Sequence, residues 1–133
     1  KFFDDIKIII VTRDPRSVFY SMKSRFSNAF PGHDIKKFVI WYDYIMKKFY
    51  SNFKKDLKIS KGTKNKKILK INFEDFVSNK EVKNEILRFI KEKEVVNKFN
   101  FAKSRQNAFK AKKFLSINEQ NYIKRKLNSF LQW

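Results

Sequence analysis

The chain has 133 residues, 42% of them hydrophobic and 16 of them phenylalanine, which is enough apolar material for one domain with a real core. A formal net charge of +19 favours phosphates, sulfates or polyanions as partners, although a plain solvated lysine surface explains much of it. The absence of cysteine excludes a disulfide framework and a thiolate metal site, and no apolar run approaches the ~18–20 residues that cross a bilayer.

In chain order, Ile6 to Val11 is a short continuous β-branched run, the pattern of a strand buried on both faces in a parallel sheet. Helical spacing takes over at once. Asp14 can cap, Pro15 suits the first helical position, and Val18, Phe19, Met22 and Phe26 recur at three and four residues. Pro31 and Gly32 break the pattern, and Asp34 can cap a second helix over about 35–53 with Phe38, Trp41, Tyr42, Ile45, Phe49 and Phe53 on its apolar face. Residues 54–67, lysine-rich and containing Gly62, read as a mobile connection.

A second strand is expected over 67–73, "KILKINF", followed by a helix through Val82, Ile86, Leu87 and Ile90 that opens on a Ser78/Glu81 capping box. Two strand-helix units separated by a long helical crossover indicate parallel pairing in an α/β sheet flanked by helices. Residues 97–114, "NKFNFAKSRQNAFKAKKF", read as a basic loop with scattered aromatics. Ser116 and Glu119 form another capping box, for a last helix through Ile117, Tyr122, Ile123, Leu127 and Phe130. The chain starts at Lys1 and ends in a helical pattern at Trp133, and two strands make a thin sheet, so residues 1–133 are expected to be one domain and a piece of a longer protein.

Ligands of open parallel sheets sit beyond the carboxyl ends of the strands, which is where Arg13 falls. A guanidinium is always charged and offers a fork to an oxyanion, and Ser17 and Ser21 lie four apart on one face of the next helix. Asp14 puts a carboxylate at the helix start and Pro15 has no N–H, so an anion here would be held by side chains and not by a glycine-rich backbone loop. Pairing of Arg13 with Asp14 or another carboxylate is the competing reading, at even odds from pattern alone.

The stretch "IKIIIVTRDPRSVFYSMKSR" resembles the 3′-phosphate-binding segment of sulfotransferases that use 3′-phosphoadenosine 5′-phosphosulfate (PAPS), in which a strand ends in Arg-(Asn/Asp)-Pro and a serine follows eight residues after the arginine. "KILKINFED" is similar to that family's strand ending in Tyr-Glu-Asp. The resemblance covers about residues 6–92 and implies a P-loop nucleotide-hydrolase-like fold, incomplete at the N-terminus. It assigns the cofactor's 3′-phosphate to Arg13 and Ser21, and places Phe73 near the adenine with its ring but without the tyrosine hydroxyl. Ser104 and Arg105 in "AKSRQNAFK" are the counterparts it suggests for further cofactor contacts. Glu74 and Asp75 are read as holding local backbone.

What the resemblance implies for the whole protein is transfer of a sulfuryl group from PAPS, as donor, to a hydroxyl or amine acceptor, a carbohydrate among them. The phosphosulfate loop and the catalytic base are expected upstream of residue 1, so catalytic residues are left unassigned and the fragment alone is expected to be inactive. His33, the only histidine, does not map to that base and reads as an exposed loop residue; no metal site is expected. The alternative is a non-catalytic basic module that grips nucleic acid or another polyanion through 54–67 and 103–113. A cytoplasmic location is expected, since nothing in the sequence directs the chain elsewhere.

Overall fold

A computed structural model describes residues 6–25, 30–60, 67–92 and 100–131, with backbone alone at 53–60. Strand β1 (Ile8–Thr12) leads into α1 (Pro15–Arg25), and the long helix α2 (Ile35–Ser60) crosses over to strand β2 (Ile68–Asn72). Helices α3 (Phe73–Ser78), α4 (Lys80–Ile90), α5 (Phe101–Ala108), α6 (Lys110–Phe114) and α7 (Ile117–Lys126) follow, and a 3-10 turn spans Asn128–Phe130. The two strands pair in parallel, in register from Ile8 with Ile68 to Thr12 with Asn72, as the two strand-helix units predict. The result is a helix-rich α/β structure with a small parallel sheet flanked by helices.

Several helix starts are capped by a side chain, although α3 and α6 are not. The Asp14 carboxylate accepts the Arg16 N–H at 2.8 Å, and Asp34 accepts the Lys36 and Lys37 N–H groups at 2.7 and 3.2 Å. Ser116 and Glu119 form the expected reciprocal capping box at α7. The core lies among α1, α2, α6 and α7, where Phe19, Phe38, Tyr42, Ala111, Leu115, Ile123 and Leu127 are buried. The Phe19 and Phe38 rings meet at 5.0 Å between centroids, and each such side chain contributes about 1.5–3 kcal/mol by leaving water. Gly32 is required by close approach: a Cβ there would stand 3.1 Å from the Met22 backbone.

Several boundaries differ from the sequence expectation. Helix α2 continues to Ser60, so the first half of the proposed mobile connection is helical; lysine is a good helix former and only proline or a run of turn residues would have stopped it. Residues 61–66 lie outside the described residues. Helix α4 is capped by Asn79, whose side chain accepts the Glu81 N–H at 2.9 Å, because Ser78 is consumed as the last residue of α3. The stretch read as a basic loop is helical at α5 and α6, which bury Ala108 and Ala111 against their neighbours. The last helix closes at Lys126, and Phe130 belongs to the 3-10 turn after it. Among the described residues no helix is long and apolar enough to cross a membrane.

Candidate anion-binding site

The corner between β1 and α1 is built around a buried ion pair. Asp14 is completely buried, and its two carboxylate oxygens accept from Arg16 Nε and Nη2, each at 2.9 Å, in addition to the Arg16 backbone N–H. The bidentate fork suits a guanidinium, and spacing of two residues across a helix cap lets both partners reach without leaving the first turn. The carboxylate adjacent to Arg13 is therefore neutralised by Arg16, while Arg13 has an ion pair of its own with Glu74, 3.9 Å away, so the competing sequence reading holds through another carboxylate and not through Asp14.

Arg13 is held on several sides without being saturated. Its Nη2 donates to the Asn107 carbonyl at 3.3 Å, its Cζ lies 5.2 Å from the centroid of the Phe73 ring, and its own carbonyl accepts the Tyr42 hydroxyl at 2.9 Å. The nearest carboxylate oxygen is Glu74 Oε1, 3.9 Å from Arg13 Nε, too long for a hydrogen bond. Arg13 Nε is buried with no hydrogen-bond partner among the described residues, while the side chain as a whole remains 30% exposed. Burial lowers the Arg13 pKa from its ordinary value, and Arg25 adds to that with a second positive charge, against the opposing pull of Glu74 and Asp14.

Glu74 completes the corner from the start of α3, just after β2. It is the second residue of α3, only 3% exposed, and its Oε1 accepts the Asp14 N–H at 3.2 Å. Its Oε2 has no hydrogen-bond partner among the described residues, and burial pushes its carboxyl up from the usual range. Burial likewise raises the Tyr42 hydroxyl, with the Asp14 charge adding to it, so that Tyr42 is a neutral donor throughout the physiological range. Thr12, the last residue of β1, donates to Asn72 Oδ1 at 2.7 Å and ties the two strand ends together.

The structure brings Arg13 and Phe73 into contact, and it brings the C-terminal helices to the same corner through Asn107 and Ala108. Ser17 is buried and its hydroxyl donates to the Ala108 carbonyl at 2.7 Å, which commits it to packing. Ser21 lies further along α1 and is half-buried. Ser104 is half-buried on α5 and Arg105 is exposed on it; Asn107, on the same helix, is the residue whose carbonyl meets Arg13. His33 is exposed in the turn before α2, as expected. No group of three or more potential metal ligands occurs among the described residues.

Sequence reasoning missed three participants: Arg16, the reach of Glu74 across to the other strand, and the Asn107 carbonyl. Arg16 had a readable signal, a basic residue two positions after the capping aspartate. Asn107 had none, since its backbone oxygen and not its side chain touches Arg13.

In this α/β structure an incompletely hydrogen-bonded guanidinium lies at the carboxyl end of a parallel sheet, between an aromatic ring and a buried carboxylate, and makes the corner a candidate anion site. A model described as "Sulfotransferase family" matches residues 1–93, which take in the whole corner except the C-terminal helices, and the chain belongs to that family. Sulfuryl transfer is accordingly the general chemistry. No curated protein and no solved structure matches the chain.

Proposed function

We propose that the chain is the donor-binding portion of a PAPS-dependent sulfotransferase with a P-loop-like fold, and that Arg13 and Ser21 hold the 3′-phosphate of the donor. The observation that carries this reading is the Arg13 guanidinium, whose adjacent acid is taken by Arg16 and whose buried Nε has no hydrogen-bond partner among the described residues. A positively charged group with an unmet donor in a partly desolvated corner, where burial disfavours its charge, gains most from a bound oxyanion. In this reading Phe73 offers its ring to the adenine, and Ser104 and Arg105, on α5, are proposed as further donor contacts. The donor, when bound, supplies the activated sulfuryl group; the residues of this chain grip and orient its nucleotide end. The acceptor is a hydroxyl or amine, with a carbohydrate as the class proposed, and residues 1–133 form the C-terminal part of the sulfotransferase domain.

The polyanion-binding reading makes a different demand, because non-specific contacts by lysines are released by salt. Thermal melts of the full-length protein separate the two. Adenosine 3′,5′-bisphosphate in hundredfold excess over its Kd should stabilise the protein by about 2.7 kcal/mol, and should do so with little dependence on added salt. Equal stabilisation by inorganic phosphate or by unrelated oligonucleotides, lost steeply as salt is raised, would sink the donor-binding reading.

A further inference from the structure

We propose that Glu74 is a positioning residue for the donor: it fixes the Arg13 guanidinium from behind, so that the remaining nitrogens present a set fork to the 3′-phosphate. The proposal rests on the donor-binding reading and goes beyond it, because it gives a function to a carboxylate that does not touch the ligand.

The geometry supplies the argument. Glu74 Oε1 accepts the N–H of Asp14, the residue directly after Arg13, so the carboxylate already sets the backbone of the corner. The same oxygen stands 3.9 Å from Arg13 Nε. Phe73, the neighbour of Glu74 in sequence, lies against the guanidinium, and the Asn107 carbonyl takes one of its outer nitrogens. Three elements thus limit where the guanidinium can turn: the start of α3, the end of α5 and the β1 corner itself.

A purely structural acceptor for the Asp14 N–H has no need of a charge. Burial at 3% exposure, with Oε2 lacking any hydrogen-bond partner among the described residues, makes ionisation of Glu74 costly. Opposite charge at Arg13 offsets that cost only if the two groups stay together, which restricts Arg13 to one orientation. Partners that orient a ligand-binding group from outside typically matter 10–100-fold in affinity at metal sites, and the same logic of orientation applies to an arginine facing a phosphate.

Two variants test this. Glu74→Gln keeps an oxygen for the Asp14 N–H and removes the charge; Arg13→Lys keeps the charge at residue 13 and removes Nε. Calorimetry on the full-length protein with adenosine 3′,5′-bisphosphate and with adenosine 5′-monophosphate should show each variant losing about tenfold for the bisphosphate and changing less than about twofold for the monophosphate. The double variant should bind no more weakly than Arg13→Lys. In the ligand-free protein the buried Arg13 Nε–H should exchange slowly with solvent in the wild type and faster in Glu74→Gln.

A Glu74→Gln variant that binds the bisphosphate as well as the wild type, or more tightly because a repelling charge has gone, would overturn the positioning role while leaving donor binding by Arg13 intact. Should Glu74→Gln fail to fold, Glu74→Asp, which keeps the charge but withdraws it from Arg13 Nε, takes its place: wild-type affinity for the bisphosphate in that variant would overturn the positioning role. A wild-type protein with no preference for the bisphosphate would instead remove the donor-binding reading, and this proposal with it.

Discussion

Replacing Arg16 by methionine isolates the interaction that leaves Arg13 available. The substitution keeps most of the stem's bulk but strips Asp14 of its two 2.9 Å bonds to Nε and Nη2, while the backbone N–H at position 16 can still donate. Asp14 has 0% exposure and cannot recover water in its place. Removing one partner of a buried pair costs about 3–5 kcal/mol, a large share of the ~5–15 kcal/mol that holds a domain together. Urea unfolding is the assay: with a slope of about 1–3 kcal/mol/M, the midpoint should fall by roughly 2 M. The double variant with Asp14→Asn should recover part of the loss, since no uncompensated charge remains. The freed carboxylate would also compete for Arg13, so bisphosphate binding should weaken in Arg16→Met. A loss below about 1 kcal/mol, the value of an exposed pair, would refute the idea that this ion pair is buried and shields Arg13 from Asp14.

Other perturbations probe the scaffold behind the corner. Gly32→Ala pushes a Cβ to 3.1 Å from the Met22 backbone, and should destabilise by about 1–3 kcal/mol; an unchanged melting temperature would mean that the turn before α2 does not press on α1. The Lys23–Glu119 bond at 2.6 Å ties α1 to α7 and should be pH-dependent. Burial pushes the Glu119 carboxyl up, but the bonds from Lys23 and Ser116 outweigh it and hold the group below its usual range. A carboxyl depressed in the folded state contributes stability above its unfolded pKa of about 4.3, and that contribution disappears as pH falls through the folded value. Because Lys23 is 49% exposed, Lys23→Ala should cost only about 0.5 kcal/mol at neutral pH. Denaturation at neutral pH and again near pH 2 checks the sign: a penalty that persists or grows in acid would exclude Glu119 as its source.

What could be read from the sequence had a local cause. The Asp14–Pro15 helix start, the Asp34 cap and the Ser116/Glu119 box each depend on neighbours within a few residues and appear in the structure; the β1 run forms its strand too, but with Ile8, Ile9 and Val11 exposed, not buried on both faces as its β-branched pattern suggested. Parallel pairing followed from the long crossover between two strand-helix units. The failures had a physical reason as well. Helices α5 and α6 bury alanines at 108 and 111, and such small residues leave no apolar stripe for periodicity to detect. The extension of α2 through 54–60 was hidden because lysine suits a helix and a solvated loop equally. Within the candidate site, Arg13 and Phe73 were legible through motif and position, whereas the competition between Arg13 and Arg16 for Asp14 was not. It is decided by side-chain geometry at the helix start, where the Arg16 fork reaches both Asp14 oxygens and Arg13 is drawn toward α3 and α5.

The central claim is that Arg13 receives the donor's 3′-phosphate. Calorimetric titration of the full-length protein with adenosine 3′,5′-bisphosphate, wild type against Arg13→Ala, tests it most directly. The variant should lose about 1.5–3 kcal/mol, roughly 10- to 150-fold in Kd, as for a hydrogen bond to a charged group. Wild-type affinity in Arg13→Ala would contradict it.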